Sequence, residues 1–245
     1  MAEGRLFVAG TGPGKTDYTA PAALNAVRSA DFVCGYMPYV EAVAEYISPE
    51  AEVFTNGMTG ETERVEKALE AAQAGKKVAL VCGGDASLYS LASLVYEKAA
   101  NTDIIEVIPG ITAALAASAR LGAPVADDLA VISMSDLLTP WEVIRKRIDA
   151  VNAGDFVCAV YNPRSRKRTE QIEHALKVFA SRGDLPCGYV RNSHREGETL
   201  WVGRLSELNT EELDMSTVLI IGCKKTVIKN GRLVTPRGYT DKYGE

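Results

Sequence analysis

Two glycine-rich corners each close a short apolar run: Gly10-Thr11-Gly12-Pro13-Gly14 after Leu6-Phe7-Val8-Ala9, and Gly83-Gly84-Asp85 after Val78-Ala79-Leu80-Val81. Glycine lets the backbone turn with no Cβ in the way, so a small ligand can lie against main-chain N–H groups at the carboxyl edge of a parallel sheet. Two such corners in one half of a chain imply a ligand site, with Asp85 as the carboxylate beside it. In the second half, Ser133, Ser135 and Asp136 cluster at the end of another apolar run, again where ligands of α/β proteins sit. Behind them Thr139, Pro140 and Trp141 read as a helix cap, a first helical residue and an anchoring aromatic.

The first corner comes within one residue of a phosphate-binding P-loop, with Ala9 standing where its first glycine belongs. A P-loop cradles phosphates with consecutive backbone N–H groups and opens a helix at its Lys-Ser/Thr. Here Pro13 removes one donor, and the better helix start is Thr19 as cap with Pro21 in the first turn. A P-loop-like nucleotide-binding protein is therefore the alternative from a different functional class. It would require magnesium-dependent ATP binding through Lys15.

These corners need a parallel sheet to hold them, and the pattern supplies one. Strand-like runs near 5–9, 31–34, 77–81 and 104–108 alternate with helical patterns near 20–29, 38–46, 61–74, 86–99 and 111–120. The helix over 86–99 takes Asp85 as its cap and puts Leu88, Leu91, Leu94 and Val95 on one face. Leu121-Gly122-Ala123-Pro124 breaks the pattern. A second set follows, with strands near 129–133, 155–161, 186–191, 199–204 and 216–222 and helices near 140–152 and 165–181. Residues 226–234 form a hairpin on an Asn230-Gly231 type I′ turn. The fold class expected is α/β in two domains, 1–121 with a mainly parallel sheet and 122–245 with a mixed one.

The chain has 245 residues, 47% of them apolar, enough to bury a sizeable core. No apolar run approaches the roughly 20 residues of a membrane span, and Met1-Ala2-Glu3-Gly4-Arg5 leads straight into a strand with no room for a signal peptide. A cytoplasmic protein without membrane or nucleic-acid partners is expected, the net charge of −5 opposing general nucleic-acid binding. The five cysteines show no C-x-x-C spacing and read as buried reduced thiols. His174 reads as an exposed mid-helix residue.

In order along the chain, GTGPG, GYMPY (35–39), NGM followed by Glu and Arg (56–64), GGD…Y (83–89), PGITA (109–113), LGAP (121–124), SDLLTPW (135–141), YNPRS…R (161–168) and TPRGY (235–239) resemble the tetrapyrrole methylases that use S-adenosylmethionine. The likeness covers almost the whole chain. SDLLTPW, YNPRS and TPRGY resemble the branch that acts at carbon 17 of the macrocycle. The resemblance implies the two-domain tetrapyrrole methylase fold with an active-site trough between the domains, and a homodimer. It also implies S-adenosylmethionine as methyl donor, leaving as S-adenosylhomocysteine. Carried over residue by residue, the donor contacts fall on Pro13, Gly83, Gly84, Asp85, Leu88, Thr112, Ala113, Tyr161, Ser193 and Thr217.

The activity implied is methylation of carbon 17 of precorrin-3B or its cobalt counterpart, coupled to ring contraction, in cobalamin biosynthesis. A methylase acting at another ring carbon is the alternative within the same chemistry. Ser135 and Asp136 are the expected catalytic residues, for the proton movement that contraction requires. The substrate bears many carboxylates, so cations are needed. The pattern over 165–181 places Arg166, Lys167 and Arg168 in the first turn of a helix, where the macrodipole disfavours positive charge and a bound anion would relieve it. Arg164 and Arg168, one helical turn apart, are the expected substrate contacts. No metal-ligand cluster is visible, so any cobalt arrives inside the substrate. Two departures from the family pattern stand out: Asp127-Asp128-Leu129 where relatives carry His-Asp-Phe, and Ser87 where a glycine is commoner.

Overall fold

The computed structural model describes residues 4–244. Met1, Ala2 and Glu3, which the sequence reading runs into the first strand, lie outside them, as does Glu245. The chain divides by its internal contacts into one unit ending at Ala113 and another beginning at Ala114. Leu121, the expected boundary, is the last residue of the helix that stands at this division.

The first unit runs β1 (Arg5–Gly10), α1 (Pro21–Arg28), β2 (Phe32–Tyr36), α2 (Met37–Glu41), β3 (Glu52–Asn56), α3 (Glu61–Gln73), β4 (Lys77–Cys82), α4 (Ala92–Lys98) and β5 (Ile105–Ile108). Its strands pair in parallel in the order β3-β2-β4-β1-β5. Central strands of a parallel sheet are covered on both faces and so read as unbroken apolar runs. On β4, Val78 and Leu80 pack with Leu6, Val8, Val65 and Leu69, while Ala79 and Val81 pack with Val27, Val33, Val40 and Val43. Each large side chain buried this way contributes about 1.5–3 kcal/mol. Because all five strands are parallel, their carboxyl ends share one edge. The register Gly10↔Cys82 sets the two glycine corners side by side.

Four expectations fail in this unit for identifiable reasons. Strand β3 was not read from the sequence, because as an edge strand it carries only Val53 and Phe54 as large apolar residues and none of its residues is buried. The helix expected over 38–46 is two pieces, α2 and a 3₁₀ turn at Ala44–Tyr46. The helix expected over 86–99 begins only at Ala92, since Tyr89 has φ 53° and breaks it. Thr19 does not cap α1: Ala20 holds that position, and the Thr19 hydroxyl donates to the Thr11 carbonyl at 2.7 Å.

The second unit contains α5 (Ala113–Leu121, whose first residue belongs to the first unit), β6 (Gly122–Ala123), β7 (Leu129–Ser133), α6 (Trp141–Ala153), β8 (Val157–Tyr161), α7 (Glu170–Ala180), β9 (Pro186–Arg191), β10 (Thr199–Arg204), β11 (Thr217–Ile221), β12 (Val227–Lys229), β13 (Arg232–Val234) and α8 (Tyr239–Tyr243). Its main sheet is mixed, in the order β10-β9-β11-β8-β7. Strand β7 pairs parallel with β8, whereas β11 runs antiparallel to both its neighbours. The start of β11 therefore reaches the same edge as the ends of β7, β8 and β9. Strands β12 and β13 form the expected hairpin, with Asn230 at φ 51° and Gly231 at φ 72°, and β13 also pairs with β6. The core gathers Ile144 and Ile148 of α6 with Ile172 and Phe179 of α7 over Val160, Leu219 and Ile221.

Here too the helix starts differ. Pro140, not Thr139, holds the cap position of α6, with no side-chain cap bond. Helix α7 begins at Glu170, so residues 164–168 form a tight turn closed by Ser165 N to Arg168 O (3.0 Å) and Arg168 N to Ser165 O (3.2 Å). The first turn of α7 holds Glu170 and Glu173, which suit its dipole. His174 is half-buried, edge-on to Trp141 with ring centroids 5.5 Å apart. All five cysteines are buried and unbonded, and burial pushes the Cys158 and Cys187 thiols up to about 12. Among the described residues no helix is long and apolar enough to cross a membrane, and no cluster could hold a metal ion.

Candidate functional site

At the carboxyl edge of the first unit the two glycine corners bind each other. Thr11 N donates to Cys82 O (2.9 Å), Gly12 N to Gly84 O (3.0 Å) and Gly84 N to Gly12 O (2.8 Å). Three amides that the sequence reading offers to a ligand are thus spent within the floor of the site. Gly110, following β5, completes this floor: a Cβ there would stand 2.1 Å from Gly84 O. Gly83 is required by the Tyr39 ring, 2.5 Å from where its Cβ would be. Gly84 differs from these. With φ 68° its backbone needs glycine, while over that face a Cβ would meet ordinary contacts and no clash, the nearest being Ala113 N at 3.8 Å.

Beside that face stands Asp85, half-buried. Its Oδ1 accepts from Ser87 N (2.8 Å) and Leu88 N (3.0 Å), and its Oδ2 from Gly110 N (3.0 Å). Burial works against the charge, but the donations from Gly110, Ser87, Leu88 and Ala86 outweigh it and hold the carboxyl below its ordinary range. The cap-like bonds expected of Asp85 are present, but they organise a turn ahead of α4 and not a helix. Pro13 is buried behind Gly12, and Leu88, Thr112 and Ala113 are half-buried on the same edge. Lys15 is exposed, and only a 3₁₀ turn at Thr16–Tyr18 follows it. Without a helix opening at that lysine the P-loop geometry is absent.

The same edge of the fold holds Arg64, which sequence reasoning noted only as part of a motif. It is 3% exposed and reaches Asn56 Oδ1 (2.5 Å) and Gly57 O (2.9 Å), with Glu61 3.4 Å away. It fixes the loop between β3 and α3. A guanidinium this buried is invisible to composition, which expects arginine at the surface.

At the corresponding edge of the second unit, side chains do the joining. Ser133 Oγ accepts from Ser135 N (3.2 Å) and from Asn162 Nδ2 (3.0 Å). Asp136 Oδ2 accepts from Gln171 Nε2 (3.0 Å), and its Oδ1 lies 3.9 Å from Arg168 Nη1. Arg168 Nη2 donates to Asn162 O (2.9 Å) and lies 3.3 Å from Met215 Sδ. Burial pulls the Arg168 guanidinium below its usual value while Asp136 acts in the opposite sense. Asp136 thus faces Arg168, and Ser135 is linked to the same guanidinium through Ser133 and Asn162. Asn162 and Gln171, which complete the network, were missed. Asn162 sits at φ 49°, a conformation that asparagine tolerates, and its place in a turn after a strand was the available signal.

The remaining candidates are placed as follows. Tyr161 ends β8, and its hydroxyl accepts from Ala114 N at 2.7 Å. Ser193 Oγ lies 2.9 Å from His194 Nδ1. Thr217 is 2% exposed and its hydroxyl donates to Asp214 Oδ1 at 2.8 Å, so it closes a turn. Arg164 is half-buried on the 164–168 turn. Asp127 faces Lys225 at 3.3 Å. Asp128 uses its carbonyl to accept from Val157 N at 3.1 Å.

Residues 5–209 match the family described as Tetrapyrrole (Corrin/Porphyrin) Methylases. The chain is 44% identical to "Cobalamin biosynthesis protein CbiHC" of Archaeoglobus fulgidus over 99% of its own length and 54% of that protein's. It is 40% identical to the "Probable cobalt-factor III C(17)-methyltransferase" of Salmonella typhimurium, over 96% of its own length and 99% of that protein's. It therefore spans about half the length of one curated relative and nearly all of another. Among solved structures, that of "the methyltransferase CobJ" superposes with a TM-score of 0.88 at 32% identity, covering 95% of this chain and 100% of that one.

Proposed function

The chain belongs to the tetrapyrrole (corrin/porphyrin) methylase family, and from that premise we propose that it transfers a methyl group from S-adenosylmethionine to carbon 17 of a precorrin-3-level macrocycle, with ring contraction, in cobalamin biosynthesis. The observation that carries this reading is the end-to-end likeness to the Salmonella relative named for that position. The same name favours a cobalt-containing substrate over the metal-free one. A homodimer in the cytoplasm completes the reading.

The residues of the first unit's edge fit the donor. Gly84, with no side chain of its own, suits close approach of a flat or narrow group to the main chain, and the carboxylate of Asp85, held below its ordinary range, suits ribose hydroxyls. When bound, S-adenosylmethionine supplies an electrophilic methyl on a sulfonium. The chain's own task is to bind and orient, which can contribute up to about 7–11 kcal/mol. Gly84, Asp85, Leu88 and Thr112 hold the donor's nucleoside. In the second unit, Asp136 exchanges the proton that contraction moves, and the Ser135 hydroxyl donates to an oxygen that the substrate itself carries, as negative charge develops on it at the extruded carbon. Gln171 keeps Asp136 facing one way while it does so.

Anaerobic incubation of the protein with S-adenosylmethionine and either cobalt-precorrin-3 or metal-free precorrin-3B, read by mass spectrometry and NMR, tests the reading. One added methyl at carbon 17 is expected, with faster turnover of the cobalt form. A methyl at another carbon would move the protein to another branch of the family. No methyl on either macrocycle, with S-adenosylhomocysteine still bound, would reject the substrate and leave the donor site.

A further inference from the structure

Within the second unit, the turn 164–169 and the turn 211–216 face each other across a cavity of about 640 Å³. One wall carries Arg164, Arg166 and Lys167, none of which has an ion-pair partner among the described residues. Three unpaired cations in four residues stand out in a chain of net charge −5. The opposite wall carries two carboxylates, Glu211 and Asp214, the latter held in place by Ser216 N and the Thr217 hydroxyl, both 2.8 Å from its Oδ1, so the three cations exceed the facing acids by one.

Arg168 behaves differently from its neighbours. Its side chain is 12% exposed, and it touches three loops at once: Asp136 after β7, Asn162 after β8 and Met215 before β11. Its Nε is buried without a partner. A guanidinium so enclosed cannot swing out to meet a ligand, but it fixes both walls of the cavity through Met215 and the turn it closes.

We propose that this cavity holds the peripheral carboxylates of a polycarboxylated macrocycle on Arg164, Arg166 and Lys167, and that Arg168 is a positioning residue that fixes the walls and Asp136. The ligand class rests on the proposed function. The opened turn replaces the helical first turn that the sequence pattern predicts. It gives the cations a common direction, whereas a helix would fan them about 100° apart per residue.

The test uses uroporphyrin III as a non-reacting polycarboxylate probe, titrated by absorbance into the full chain saturated with S-adenosylhomocysteine. The triple variant Arg164→Gln, Arg166→Gln, Lys167→Gln should bind the probe about tenfold or more weakly and lose most of the wild type's salt dependence, with S-adenosylhomocysteine affinity unchanged. Arg168→Gln should lower the melting temperature and kcat for methyl transfer while leaving the macrocycle KM near wild type. Equal probe binding by wild type and triple variant would overturn the subsite, as would displacement of the probe by inorganic phosphate at equal concentration. A raised KM with unchanged melting temperature in Arg168→Gln would make that residue a substrate contact. Probe binding that depends on the three cations, in a protein that methylates no precorrin, would keep the subsite and reject the proposed function.

Discussion

The two carboxyl edges solve one problem with different materials. In the first unit the floor is main chain: Gly10 and Gly110 pack so closely on Gly84 that a Cβ on either would strike the Gly84 carbonyl, and the one important side chain, Asp85, is pinned by amides. In the second unit the edge is knitted by side chains, from Ser133 through Asn162 and Arg168 to Asp136 and Gln171. In the function proposed above, the backbone floor keeps one shape for the methyl donor, and the edge made of side chains, which can be altered one residue at a time, faces the macrocycle.

Four substitutions, with a fifth as control, would break or sharpen that contrast. The largest effect is expected for Gly110→Ala, whose Cβ meets backbone at 2.1 Å and cannot be relieved by a rotamer; destabilisation of about 3 kcal/mol or more in chemical denaturation is the outcome to look for. Gly57→Ala, with nothing within 4 Å, is its control and should change stability by less than about 0.5 kcal/mol.

Next comes Asp85→Asn, expected to weaken S-adenosylhomocysteine binding about tenfold in calorimetry, by removing charge while keeping shape. Its stability has a defined pH signature. The Asp85 carboxyl titrates below its ordinary 3.8 in the folded chain, so its contribution is complete above the unfolded value and is lost as pH falls through the folded one. The gap in melting temperature between wild type and Asp85→Asn should therefore be full at neutral pH and close in acid. A gap that widened in acid would contradict the assignment.

Asp136→Asn, in the side-chain edge, should slow contraction while leaving S-adenosylhomocysteine affinity within about twofold; equal losses in both would remove Asp136 from the catalytic role. The smallest effect is expected for Lys15→Ala. That lysine is exposed and opens no helix, so donor affinity and stability should match wild type. Measurable ATP binding that this change abolished would revive the nucleotide reading.

The same contrast explains what could be read in advance. Strands β1, β4, β8 and β11 were legible because burial on both faces demands unbroken apolar residues such as Val78-Ala79-Leu80-Val81. The edge strand β3 escaped because Glu52 and Val53 face solvent and Asn56 is given over to holding Arg64, leaving no apolar run. The helix read over 86–99 has apolar residues, Ala86, Leu88 and Leu91, ahead of its true start, whereas the one read over 165–181 takes in a polar run with no apolar residue before Ile172. What stops them is local: φ 53° at Tyr89, and paired bonds between Ser165 and Arg168. The basic run at 164–168 was legible as charge, but not its division into Arg164, Arg166 and Lys167 facing a cavity and Arg168 turned inward. Such a division is decided by contacts with Met215 and Asn162, residues that periodicity cannot bring together.

The reversed strand β11 has a consequence for how the protein is made. It lies between β9 and β8, yet follows both in the chain. While the ribosome is still adding residues before Thr217, the second unit consists of two half-sheets, β7-β8 and β9-β10, each with an open apolar border that invites pairing with another nascent chain. Insertion of Thr217–Ile221 joins the halves and seals both borders in one event. A stop codon shortly before this strand should therefore give aggregates and not a smaller soluble protein.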